Sequence, residues 1–162
     1  MITLHSEVSV QGIRGDEFLN FMLNCTDADY QEWWPDVHLA FHAIQRYPNE
    51  IGNIVYFDEF IGTTRLKFKG VVKEYIPGRK ITWQMIRGVR LPTWLEIECK
   101  QPTDDLHIVH TLKAGFSGLG KIFDPLIRVY LSENFCVELN DHAQTEFPML
   151  VKLLIKRRES GI

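Results

Sequence analysis

The sequence predicts an α+β domain: a curved antiparallel sheet of about seven strands wrapped around one long C-terminal helix, with two short helices after the first strand. Three observations carry this expectation. Period-two alternation recurs from Val37 to Gly115 in segments separated by Pro, Gly, Asn and Asp clusters. Between the first strand and that region lie two short stretches with helix-start signals. From Asp124 onward the apolar spacing changes to that of a helix, which places one long helix last.

In order, Ile2, Leu4, Ser6, Val8 and Val10 alternate with Thr3, His5, Glu7 and Ser9, as in a half-buried strand. Gly15-Asp16 is expected to cap a short helix that turns Phe18, Phe21 and Met22 inward. Thr26-Asp27-Ala28-Asp29 has the form of a capping box and opens a second short helix, which Pro35 stops beside Trp33 and Trp34. Val37–Arg46 and Ile54–Ile61 read as a hairpin turned around Pro48 to Asn53. Thr63–Ile76 ends at Pro77-Gly78 and is followed by Lys80–Arg87; Thr93–Gln101 and Leu106–Gly115 pair across Pro102 to Asp105. Asp124-Pro125 is a helix-start signal, and the helix is expected to run from there to about Lys156. Its core-facing stripe is Ile127, Leu131, Phe135, Leu139, His142, Glu146, Met149 and Leu153, with Pro148 bending it.

A chain of 162 residues is expected to form a single domain, residues 1–162, with a sizeable core. Net charge of −3 leaves no basic stripe for phosphates, so nucleic acid is not an expected partner. No apolar run reaches the length of a membrane span, and Met1–Val10 has neither the basic nor the apolar region of an export signal. Cys25, Cys99 and Cys136 are odd in number and widely spaced, which reads as reduced thiols in a cytoplasmic protein.

The glycine cluster Gly115–Gly120 matches neither a nucleophile elbow nor a dinucleotide loop, because Leu119 and Phe123 stand where glycine is required. Arg65, Lys67, Lys69 and Lys121 read as solvated charges. His142 and Glu146, four residues apart in the middle of an apolar stripe, can reach one point from one helix. Glu59 alternates with Phe57 and Ile61, which directs it toward an apolar face, where a carboxylate must be paired, protonated or bound to a metal. If the hairpin turns around Pro48 to Asn53, Glu59 faces His42, and His38 shares that side; either histidine is a candidate ligand. Two imidazoles and two carboxylates around one cavity suit a divalent ion, zinc most readily. His107 and His110 point to opposite faces of the last strand, and one of them can enter the pocket as an acid.

The order strand, two short helices, six strands and a long helix resembles the START-like helix-grip (SRPBCC, polyketide cyclase-like) superfamily over essentially the whole chain. That resemblance implies an apolar cavity between sheet and helix, and an apolar or aromatic, polyketide-like small molecule as partner. A homodimer is left open. More narrowly, Tyr30, Trp34-Pro35-x-x-His38, Glu59 and His142-x-x-x-Glu146 look like the zinc-dependent C–C hydrolases of the diacetylphloroglucinol hydrolase group. The likeness implies zinc as cofactor, His38, Glu59, His142 and Glu146 as ligands, and Tyr30 at the pocket, with Phe41 where a polar pocket residue is expected. Tyr30 and His110 are thus the expected catalytic residues, and Trp34, Phe57, Ile127, Leu131 and Phe135 the expected ligand-binding ones. The function expected is a metal-dependent hydrolase of a ketone, with a metal-free carrier, sensor or cyclase as the alternative.

Overall fold

The computed structural model describes residues 1–116 and 132–161. Strand β1 (Ile2–Gln11) leads into helices α1 (Gly15–Asn24) and α2 (Asp27–Trp33). Six strands follow: β2 (His38–Gln45), β3 (Ile54–Ile61), β4 (Thr64–Ile76), β5 (Lys80–Arg87), β6 (Val89–Lys100) and β7 (Asp105–Ala114). A helix of 28 residues, α3 (Glu133–Ser160), comes last. The strands form one antiparallel sheet in the order β1-β7-β6-β5-β4-β3-β2, with α3 packed mainly against β1 and touching β3 and α2. This is the helix-grip fold.

Local chemistry explains the short elements. The capping box at α2 is formed: the Thr26 amide donates to Asp29 Oδ2 at 3.0 Å, and the Asp29 amide donates to Thr26 Oγ1 at 3.2 Å. The start of α1 is one residue earlier than expected. Arg14 is its extended N-cap, and the Arg14 amide donates to Glu17 Oε2 at 2.9 Å. Strand β6 begins at Val89 instead of Thr93, because Gly88, at φ 76°, turns the chain tightly enough for pairing to begin at once.

The closing helix departs from its expected start. Ser132 is extended, at φ −65° and ψ 161°, and its side chain accepts from the Phe135 amide at 3.2 Å, so α3 begins at this cap and is not continuous with a helix from Asp124. Asp124, Pro125, Ile127, Leu131 and Lys121, with most of the glycine cluster, lie outside the described residues. Within α3 the predicted stripe holds: Phe135, Leu139, His142, Glu146 and Leu153 are buried.

The β2–β3 register differs from expectation in an instructive way. His38 pairs with Glu59, whereas His42 pairs with Tyr56. A bulge between His38 and Ala40 inserts one residue, so His38 and Phe41 both face the core, and His42 turns outward to Asp27, 2.7 Å away. On β3, Phe57, Glu59 and Ile61 face inward while Asp58 faces out. There Asp58 accepts from Arg65 Nε and Nη2 at 2.8 and 2.9 Å, with Lys67 Nζ at 3.4 Å. Arg65 and Lys67 are therefore partners of Asp58 and not merely solvated charges. Asp58 is itself 5% exposed, covered by those two side chains. A slip of one residue would turn it away from them to the inner face and expel Glu59, so this outer pair and the inner site enforce the same register.

The core is divided. A large apolar cluster around Phe18, Leu19, Trp33, Phe147 and Leu150 fills one end, and a smaller one of Ile61, Leu112, Phe135 and Leu139 fills the other.

Replacing Asp58→Asn should lower stability at neutral pH by about 1–2 kcal/mol, the usual scale for a charge-assisted pair. Hydrogen bonding from Arg65 holds the Asp58 carboxyl below its ordinary 3.8. Its contribution is thus complete above that value and is lost as pH falls through the lower folded-state value. In urea unfolding across pH the gap between variant and wild type should close in strong acid; a gap constant with pH would contradict this.

Candidate metal centre

Three elements bring four expected ligands to one point where the core divides. The bulge in β2 supplies His38, the alternation of β3 supplies Glu59, and one turn of α3 supplies His142 and Glu146. One ligating atom from each lies within 4.8 Å of all the others. His38 Nε2 is 3.4 Å from Glu146 Oε1 and 3.9 Å from Glu59 Oε2, and His142 Nε2 is 3.6 Å from both Glu59 Oε2 and Glu146 Oε2. The His38 side chain is fully buried, and those of His142, Glu59 and Glu146 are only 5%, 12% and 11% exposed.

Those spacings are informative. They exceed ordinary hydrogen bonds, and His38 Nε2 and His142 Nε2 are buried with no hydrogen-bond partner among the described residues. Ligand atoms about 2.1 Å from a zinc ion in a tetrahedron lie about 3.4 Å from one another. The imidazole-to-carboxylate separations, 3.4 to 3.9 Å, are at or slightly above that spacing. The tautomer sharpens the point. His38 Nδ1 lies 3.2 Å from the Tyr30 carbonyl, which only accepts, so the proton sits on Nδ1 and a neutral His38 presents its Nε2 lone pair to two carboxylates. Acceptors facing acceptors need a proton or a cation between them. The donor set fits a divalent ion.

A partner surrounds each ligand. Tyr30 OH donates to Glu59 Oε2 at 2.6 Å, and the Tyr30 ring stacks on His38 at 3.8 Å between centroids. Trp34 stacks on His142 at 4.7 Å, and Trp33 Nε1 donates to the Glu146 backbone carbonyl at 2.7 Å. The Trp33 bond was not foreseeable, since a backbone acceptor leaves no mark in sequence.

Beyond the cluster lies a cavity of about 50 Å³, lined by Tyr30, Glu59, His110, His142 and Glu146 on its polar side. Phe57, Phe135 and Phe147 are among its apolar walls. Leu66, Phe68, Met85, Leu112 and Phe135 also line a groove of about 600 Å³ that adjoins it. Of the other expected site residues, His110 and Phe57 face the cavity. Trp34 does not line it and covers His142 from the outer side, beside a groove bordered by Glu138 and Asp141. His42 is turned away, His107 is bound to Ser9 on the outer face, and Ile127 and Leu131 lie outside the described residues. Phe41 is core, stacked on Phe57 at 4.4 Å.

The electrostatics follow from burial and from the two carboxylates. Burial opposes a charge on His142, yet Glu59 and Glu146 outweigh it and raise its pKa above 6.5. Burial likewise opposes the Glu59 charge, but His142, His38 and the Tyr30 hydroxyl outweigh it and lower its pKa below 4.5. For His110 burial wins, and the imidazole is held neutral. Burial and then the neighbouring carboxylates raise Tyr30 far above its usual range, so its hydroxyl stays protonated toward Glu59.

No protein-family model matches the chain, and no curated protein matches it in sequence. Solved structures do match in fold. A Thermus thermophilus protein aligns with a TM-score of 0.63 at 9% identity, over 96% of this chain and 98% of its own. Ara h 8.0201 aligns with a TM-score of 0.61 at 6% identity, over 96% and 99%. Truncated norcoclaurine synthase from Thalictrum flavum aligns with a TM-score of 0.59 at 13% identity, over 94% and 92%. Fold and site together define a helix-grip protein with a buried pair of histidines and a buried pair of glutamates. At such identities the likeness establishes the scaffold, and the chemistry has to come from the site.

A pH titration by NMR, in the presence of a chelator, should place His142 above 6.5 and His110 below it; the reverse order would contradict the site electrostatics. The stabilising effect of His142 is complete below 6.5 and lost as pH rises through its folded-state value. That of Glu59 is complete above 4.5 and lost as pH falls through its folded-state value. The metal-free cluster therefore stabilises most between those limits.

Proposed function

We propose that the chain is a divalent-metal enzyme, zinc being the best-suited ion, that hydrolyses an apolar or aromatic, polyketide-like ketone held between sheet and helix. One observation carries this: the buried His38 and His142 Nε2 atoms, without hydrogen-bond partners among the described residues, face two carboxylates at ligand-to-ligand spacing. His38, Glu59, His142 and Glu146 would hold the ion. When bound it would polarise a carbonyl and make a nearby water acidic.

The chain's own residues do the rest. Phe57, Phe135 and the other apolar walls exclude water and take up the ligand's ring or chain, while the groove accommodates what the small cavity does not. His110, neutral and free of protein hydrogen bonds among the described residues, faces that cavity as the group able to take or return a proton. Tyr30 commits its proton to Glu59, which makes it a ligand support first. The protein is expected to work in the cytoplasm on a small molecule.

A second reading has its own support. The fold is shared with proteins such as norcoclaurine synthase, whose point mutant from the same plant has been solved with a transition-state analogue. On that reading the chain is a metal-free carrier, sensor or cyclase, and His142 and Glu146 satisfy each other or a polar group of the ligand.

Bound zinc after dialysis against a weak chelator separates the two. Wild type should retain it and His142→Ala should not, and zinc at a hundred times its Kd should stabilise wild type by about 2.7 kcal/mol. Equal and negligible zinc in both proteins would end the metal reading and leave the carrier. His110→Ala should retain zinc but lose turnover by roughly 100-fold or more, the usual scale of general acid–base help. Full turnover in that variant would remove His110 from the chemistry.

A further inference from the structure

The last turn of α2 and its C-cap residue Trp34 together touch all four residues of the cluster. Tyr30 donates to Glu59 and its carbonyl accepts from His38, Trp34 stacks on His142, and Trp33 donates to the Glu146 carbonyl. The last contact has a particular consequence, because Glu146 sits two residues before Pro148. Proline has no amide to offer the Gln144 carbonyl, so this turn of α3 lacks one of its internal bonds. Two tertiary bonds hold the turn instead. Trp33 Nε1 donates to the Glu146 carbonyl at 2.7 Å, and Gln144 Nε2 donates to the Glu7 carbonyl at 2.8 Å. The turn that aims the Glu146 carboxylate is thus fixed from outside the helix.

Resting on the metal reading above, we infer that Trp33 is the positioning residue of this site: its indole N–H sets the Glu146 turn so that the carboxylate meets His38 and His142. Trp33 touches neither the ion nor the cavity. It is 2% exposed, lies edge-on to the rings of Tyr30 and His38, and acts through the backbone of a ligand.

The protein contains its own control. Trp83 is equally buried, at 1% exposed, and packs edge-on against Phe57, but its Nε1 has no hydrogen-bond partner among the described residues. Trp33→Phe and Trp83→Phe therefore remove the same atoms from the same kind of environment, and only the first removes a bond to the site. Zinc affinity of the full chain, measured by chelator competition, should fall about 10- to 100-fold in Trp33→Phe, the usual cost of losing an outer partner of a ligand. It should be unchanged in Trp83→Phe, whatever each variant loses in metal-free thermal stability.

Equal affinity in Trp33→Phe and wild type would overturn the inference and leave the metal site standing. Equal weakening in both variants would overturn it too, as general loss of packing. A wild type that binds no zinc would end the inference together with the reading beneath it. Should Trp33→Phe not fold, wild type decides alone: zinc should slow hydrogen exchange at the Trp33 indole N–H, and exchange that ignores zinc would refute the role.

Discussion

Two carboxylates and two imidazoles converge at the buried end of a cavity, and the surrounding structure depends on keeping them there. Removing one carboxylate from water without compensation costs several kcal/mol, on the scale found when buried ion pairs are broken. Two carboxylates side by side would also force one to hold a proton. Here neither lies within hydrogen-bond reach of the imidazole nitrogens opposite it. The arrangement is under tension unless a proton or cation sits in its middle, and the packing around it resists collapse. Trp34 covers His142, the Tyr30 ring covers His38, and the Tyr30 hydroxyl holds Glu59.

That constraint reaches into the fold. The β2 bulge lets His38 face inward with Phe41, and it also separates His38 from the outward pair of His42 and Asp27. Asp58 and Arg65 hold β3 in the register that keeps Glu59 inside. Arg157, near the end of α3, bridges to Asp29 at 2.8 Å and to Glu32, tying the base of α2 to the closing helix. Each of these is modest alone, and exposed ion pairs contribute little. Their value is geometric: they keep α2, β2, β3 and α3 in the relation that the cluster requires.

Much of this was legible in the sequence, for definite reasons. Alternation of side chains is local, so the strands could be read directly; the inward direction of Glu59 could only be suggested, because Tyr56, Asp58 and Phe60 make the alternate face no more polar. His142 and Glu146 stood out because polar residues four apart on an apolar helical stripe are costly. The choice between His38 and His42 was not legible. A bulge adds a residue without altering composition, and counting back from the Pro48–Asn53 turn gave His42 the place His38 holds. Ser132 as the cap of α3 was overshadowed by Asp124-Pro125, a stronger local signal that lies outside the described residues. Trp33 is a different kind of miss. Its role depends on a carbonyl 113 residues away, and nothing in either local segment encodes that pairing.

The scaffold and the site thus carry separate information. At 6–13% identity the solved relatives share the sheet and the closing helix, and a shared fold hosts many chemistries. The chemistry of this chain has to be read from the charge balance inside the grip. A carrier for an apolar ligand gains nothing from two glutamates at the end of its cavity, since each must be neutralised before apolar surface is buried beside it. A divalent cation neutralises both carboxylates at once and occupies the imidazole lone pairs, leaving the apolar walls of Phe57, Phe135 and Phe147 next to a site without net charge. Cost and composition then agree. The residues that would be costly in an empty pocket are the ones whose charges a bound cation would balance, and the end of α2 packs against them.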